Sequence, residues 1–181
     1  LQAATRENPN LAEGWLMQAL LQLQNKQLDQ AEAALQQFDK LAQADGANGA
    51  NAANAAKMTQ AYLLHAQIAE KQGHFAIAEN WLQRINHAPD IFNAQIRRAA
   101  LWARQGQLTQ ARALVHTLEA NSLEEERLKW AAEVQFLRDA GQYNEALALQ
   151  AQAVAQFPDD NDLLYDQAML AEKAGRLDDM E

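Results

Sequence analysis

Residues 130–158, WAAEVQFLRDAGQYNEALALQAQAVAQFP, decide the fold. Trp130, Val134 and Leu137 recur three to four residues apart, so they share one face of a helix. Gly141 follows, a residue able to take the left-handed backbone conformation that ends helices. Tyr143 plugs the turn. Ala146, five residues after the glycine, is small enough to let two helices approach closely. Leu149 and Ala153 continue the apolar stripe of a second helix. Pro158 then blocks further helix and pushes Phe157 out of the helical region. The stretch reads as helix, tight turn, helix, stop.

The same window recurs. Gly73-His74-Phe75 precedes Ala78, Gly106-Gln107-Leu108 precedes Ala111, and Gly175-Arg176-Leu177 precedes Met180. With Gly141, the glycines lie 33, 35 and 34 residues apart. A period of this size means stacked supersecondary units, each too small to bury its own apolar face. Such chains present a surface rather than run a reaction.

These residues resemble the tetratricopeptide repeat, a helix-turn-helix unit with an early large apolar residue, a turn glycine, a tight-contact alanine and a closing proline. Trp130, Val134, Gly141, Ala146, Ala153 and Pro158 match, although Val134 is larger than the usual small residue. Trp15, Ala19, Ala31, Leu35 and Phe38 match in a first unit, with Lys26 in place of the glycine. Tyr62, Ala66, Gly73, Ala78, Leu82 and Ile85 match in a second, with Pro89 one residue early. The third begins with Gln95 in place of the large apolar residue, then fits through Ala99, Trp102, Gly106, Ala111, Val115 and Leu118. A fifth opens with Leu164, Ala168 and Gly175. The resemblance implies an all-α, right-handed α-solenoid of stacked antiparallel helix pairs, a tetratricopeptide superhelix. The expected units are 10–44, 58–90, 91–124, 125–158 and a truncated 159–181. Residues 1–9 would end a preceding repeat, with Pro9 closing it and Leu1 and Ala4 in its second helix. Both ends are expected to be cut from a longer array, and their raw apolar faces to allow self-association.

The period breaks once. Lys26 to Gly73 spans 47 residues, about 13 more than a repeat. The surplus falls in Ala44 to Ala56, an Ala/Asn/Gly stretch assigned to an insertion at 45–57. It has no large apolar residue with which to offset the entropy of ordering. The reading is a tolerated loop, with the alternative of a loop reaching over a groove. The run Ala52 to Ala56 is able to prolong the following helix backwards.

The chain has 181 residues, 49% of them hydrophobic, enough for a continuous core without staples. It has no cysteine, hence no disulfide or thiolate metal site. A net charge of -9 argues against nucleic-acid partners. No apolar run is long enough to cross a bilayer, so no membrane contact is expected from this segment. No signal peptide is visible, and the start at Leu1 is compatible with a removed leader.

Chemistry is sparse. His65, His74, His87 and His116 never pair at i, i+4 around a glutamate, so the zinc-protease pattern is missing. Structural or solvated roles are expected for all four. Gly46 to Gly49 lacks the lysine and hydroxyl residue of a phosphate loop. Glu124-Glu125-Glu126 after Ser122 reads as a helix start, complementing the dipole. Trp15, Trp81, Trp102 and Trp130 read as packing residues. No catalytic residue, cofactor or metal ligand is expected, and the chain is read as no enzyme.

Charge is distributed unevenly. Ile91 to Leu118 carries Arg97, Arg98, Arg104 and Arg112 and no acid, a local +4. Phe157 to Glu181 carries eight acids against Lys173 and Arg176, a local -6. In tetratricopeptide arrays the first helices line a concave groove. By that resemblance Gln60, Gln67, Asn93, Arg97, Ala100, Arg104, Gln135, Arg138, Tyr165 and Met169 would face a protein or peptide, with arginines pairing to a carboxylate. The competing reading of the arginines is a solvated charge pattern.

The phrases Ile68 to Gly73, Leu101 to Gly106, Leu163 to Tyr165 and Met169 to Leu177 resemble proteobacterial envelope tetratricopeptide proteins of the adaptor lipoprotein type. Some of these bring a processing protease to cell-wall hydrolases. The resemblance implies a non-enzymatic scaffold in the periplasm or at the outer membrane of a Gram-negative bacterium; the cytoplasm stays open. The alternatives are the regulatory array of a larger enzyme and an RNA-binding helical repeat, the latter opposed by the acidity.

Overall fold

The left-handed residues divide the helices. Gly73, Gly106, Gly141 and Gly175 have φ of 78, 80, 73 and 71°, and Lys26 has φ of 60°. At the Gly141 turn the Gln142 N–H donates to the Leu137 carbonyl at 2.9 Å, closing the preceding helix five residues back. The same bond recurs from Gln27 to Gln22, His74 to Ala69 and Gln107 to Trp102, at 2.8–2.9 Å. The computed structural model describes residues 8–44 and 52–175. Within them the helices are α1 (Ala12–Gln24), α2 (Leu28–Ala44), α3 (Ala52–Lys71), α4 (Phe75–Gln83), α5 (Ala88–Arg104), α6 (Leu108–Thr117), α7 (Leu123–Asp139), α8 (Tyr143–Gln156) and α9 (Asn161–Lys173). Among the described residues all regular structure is helical, and the expected all-α fold of paired helices is present.

Lys26 adopts the glycine geometry with a side chain. A residue with a Cβ in this region costs about 1–2 kcal/mol, part of which glycine's extra freedom in the unfolded chain cancels. Lys26→Gly is therefore expected to raise the unfolding free energy by about 1 kcal/mol, read as a higher urea midpoint at unchanged slope. A lower midpoint would show that the lysine side chain contributes more than its backbone costs.

Two compact units divide the chain, one through Ala94 and one from Gln95, with α5 crossing the division. In the first, α1 and α2 pack through Leu16, Ala19, Leu23, Ala31, Ala34, Leu35 and Phe38, joined by Ala61, Leu64 and Ile68 of α3. Trp15 covers this core half-buried, its indole N–H donating to the Pro9 carbonyl at 2.8 Å. α3 begins at Ala52, so the alanine run belongs to the helix; residues 45–51 of the insertion lie outside the described residues. So do Leu1, Ala4, Leu177 and Met180.

In the second unit α7 and α8 pack through Val134, Leu137, Ala146 and Leu147, and α9 adds Leu170 and Ala171. Gln150, 2% exposed, donates to the Leu163 carbonyl at 2.7 Å and ties α8 to α9. Ala31, Ala78, Ala111 and Ala146 are all 0% exposed, as close helix approach requires.

Two expectations need correction. Leu164 is 43% exposed, because α9 turns Leu163, Leu170 and Ala171 inward, positions i, i+7 and i+8. Pro89 stands in the first turn of α5 rather than closing the unit before it. Its missing N–H has no helical acceptor there to lose. The acidic run after Ser122 is a helix start as read: the Ser122 hydroxyl accepts from the Glu125 N–H, and the Glu125 carboxylate accepts from the Asn121 N–H at 2.6 Å.

Candidate functional site

The residues expected to face a groove all stand on the first helix of a pair, and none is in a core. In the first unit Gln60 on α3 and Asn93 on α5 are exposed and Gln67 is half-buried. In the second, Arg104 on α5 and Tyr165 on α9 are exposed. Arg97 on α5 and Gln135 and Arg138 on α7 are half-buried there. Gln135 donates to Asp139 at 2.5 Å, one turn on. Arg97 and Arg104 are each already engaged within the chain.

One subset comes together. Arg138 of α7 and Asp166, Met169, Leu170 and Lys173 of α9 line a recess of about 190 Å³. The four α9 residues are spaced 3, 4 and 7 apart, so one helix face supplies them. Leu170, 1% exposed, is part of the core beneath; Met169 is 38% exposed. Sequence reasoning named Arg138 and Met169 and missed Asp166 and Lys173. The spacing from Met169 was the available signal.

The basic stretch of the sequence is not one surface. Arg98 is half-buried, donates to Gln95 at 2.8 Å and lies over the Trp102 ring at 5.3 Å. Arg112 donates from Nε to Glu133 at 3.1 Å, and that carboxylate is on a residue only 6% exposed. These two arginines brace the fold.

Three of the four histidines have carboxylate partners. His74 precedes α4 and is exposed. His87 meets Asp90 at 2.7 Å, and His116 meets Glu133 at 3.3 Å. His65 is 2% exposed. Its Nε2 lies 3.1 Å from Asp39 and its Nδ1 3.4 Å from Glu32, the latter an ion-pair contact outside hydrogen-bond geometry. Its ring stacks on Trp81 at 4.0 Å and 9°. Burial works against a charge here, but the Asp39 and Glu32 carboxylates outweigh it and raise the imidazole to about 9. Among the described residues no cluster of three or more histidines and acids is arranged to hold a metal ion.

A larger trough, about 660 Å³, lies at the α8–α9 turn among Arg127, Gln156, Phe157, Pro158 and residues 159–162. Its polar groups are used locally: Arg127 pairs with Asp160 at 2.5 Å, and Asp160 caps α9. No helix of the described residues is long and apolar enough to cross a membrane.

Comparison with protein-family models and with curated proteins finds no match. Among solved structures, the chain resembles a thermophilic tetratricopeptide repeat protein from Thermus thermophilus. The TM-score is 0.54 at 24% identity, over 93% of this chain and 86% of that one. A tetratricopeptide repeat protein from Parabacteroides merdae aligns with a TM-score of 0.48 at 15% identity, over 91% and 74%. The likeness is one of fold: the paired helices of this chain are arranged like those of that tetratricopeptide repeat protein from Thermus thermophilus.

Proposed function

We propose that this chain is a non-enzymatic scaffold that binds a protein or peptide on the first-helix faces of its repeats. The observation that carries the reading is the split character of those helices. Each buries an alanine- and leucine-rich face and leaves a row of amide, cationic and aromatic side chains outside the core. Exposed Met169 beside Arg138, with exposed Tyr165 one turn earlier on the same helix, are the residue types that anchor protein interfaces. The resemblance of Ile68 to Gly73, Leu101 to Gly106 and Met169 to Leu177 to envelope proteins supports a partner in the bacterial periplasm or at the outer membrane, and an adaptor role in envelope assembly or proteolysis. Arg97 and Arg104 remain the proposed contacts for an anionic group in the third pair.

The test is site-specific photocrosslinking in cells. A crosslinking phenylalanine analogue at Gln60, Asn93 or Tyr165 is expected to trap a partner protein. The same group at exposed Asn80, Gln110 or Gln152 on second helices is expected to trap none. Adducts formed only from the second-helix positions would move the binding surface to the opposite face.

A further inference from the structure

The recess between α7 and α9 holds an arginine without a partner. Arg138 is half-buried, yet among the described residues its guanidinium makes no hydrogen bond or ion pair. Its counterparts in the same unit differ: Arg98 bonds Gln95, Arg112 bonds Glu133, and Arg127 bonds Asp160. The Arg138 donors are open to the recess, and a carboxylate supplied from outside would accept from them in a paired, charge-assisted arrangement.

The rest of the recess specifies what accompanies the carboxylate. Met169 and Leu170 make an apolar wall and floor. The volume, about 190 Å³, is below that of sites for drug-sized ligands, roughly 300–1,000 Å³. It suits one large side chain. Tyr165, 66% exposed and one turn before Met169, extends the apolar surface along the same helix face. Asp166 and Lys173 mark opposite ends of the α9 lining, seven residues apart. Arg138 and Lys173 against Asp166 leave a net +1 at the recess, in a chain of net -9. One carboxylate is thus favoured, while a long acidic run would meet Asp166.

We propose that this recess is the anchor site for a partner segment in which a single carboxylate adjoins a large apolar side chain. The apolar group lies on Met169 and Leu170, and the carboxylate pairs with Arg138. The proposal rests on the reading above that first-helix faces bind protein, and names the chemistry of what they take.

The test uses the whole chain labelled with ¹³C at its methionine methyls. The described residues hold three reporters, Met17, Met58 and Met169. The probe is an acetylated, amidated heptapeptide with an Asp-Leu step at the centre of an Ala/Gln sequence. Controls replace the step with Asn-Leu or Asp-Ala. The expected result is a saturable shift of the Met169 methyl, with Met17 and Met58 unmoved. Affinity is expected to fall about tenfold for each control peptide, and for Arg138→Gln with an unchanged unfolding transition. Arg138→Lys should keep part of it, since the charge stays and the paired geometry goes.

Equal affinity for the Asn-Leu peptide, or no effect of Arg138→Gln, would overturn the proposal. A shift at Met17 or Met58 in place of Met169 would overturn it and leave the protein-binding reading standing. So would no shift at all while crosslinks form from Gln60, Asn93 or Tyr165. No shift and no crosslink would end both.

Discussion

Replacing His65 with glutamine is expected to lower the unfolding free energy by about 3 kcal/mol at pH 6, and by progressively less as the pH rises from 6.5 to 9. The ring is sealed among three elements: Asp39 and Glu32 of α2, Trp81 of α4 and its own helix α3. Tyr62 stacks on the same tryptophan at 5.7 Å and Arg84 lies over it at 4.3 Å. The folded-state value of about 9 stands above the ordinary 6.5, so folding favours proton uptake. That contribution is complete below 6.5, shrinks as pH rises between 6.5 and 9, and is lost above the folded value. The shift corresponds to about 3 kcal/mol at 1.36 kcal/mol per unit. Glutamine keeps a donor but cannot carry the charge between the two carboxylates. Urea unfolding of both proteins at pH 6, 8 and 9.5 reads the effect. Curves separated by the same amount at every pH would mean that the imidazole is neutral in the fold and contributes only by packing.

Why the sequence showed the repeat but not this cluster is a matter of range. Turn register is local. A left-handed residue, a small residue five positions on and an apolar stripe fix where each helix ends and which face it buries. Gly73, Gly106 and Gly141 and the fully buried Ala78, Ala111 and Ala146 lie where that rule puts them. Even Lys26 takes the glycine geometry, because the flanking stripes demand the turn whatever residue fills it. His65 meets carboxylates 26 and 33 residues away, across helices whose relative rotation no period encodes. The same holds at the recess. The resemblance to tetratricopeptide arrays placed Arg138 and Met169 on the outward faces of two first helices. It did not say that those faces converge, or that Asp166 and Lys173 frame the space between them. Composition also misled locally: a +4 stretch looked like one surface, while packing turned Arg98 onto Trp102 and Arg112 onto Glu133.

Glu133→Ala is expected to cost about 3 kcal/mol, because it strips the partner from a largely buried ion pair. Glu133 stands between Ala132 and Val134 of α7, all three buried. Its carboxylate accepts from Arg112 Nε of α6 at 3.1 Å and lies 3.3 Å from His116, while Arg112 also reaches toward Glu145 at 3.9 Å. The two single changes are unequal in kind. Arg112→Ala leaves a carboxylate with 7% side-chain exposure facing only His116, whereas Glu133→Ala leaves a guanidinium that is 32% exposed and still near Glu145. Arg112→Ala is therefore expected to cost as much as Glu133→Ala or more, although the arginine is the more exposed partner. His116→Ala should cost under about 0.5 kcal/mol, since its side chain is 64% exposed. The decisive variant is Arg112→Met with Glu133→Leu. It removes both charges and keeps apolar bulk, so the loss should fall to about 1 kcal/mol or less. Equilibrium unfolding followed by tryptophan fluorescence, with Trp102 and Trp130 in the same unit, gives the coupling energy of the cycle. Simple additivity of the two single changes would show that the charges do not depend on each other. A coupling above about 1 kcal/mol would fix Arg112 as a brace between α6 and α7. Any loss of partner binding in Arg112 variants would then follow their loss of stability, whereas Arg138 variants should lose binding with the fold intact.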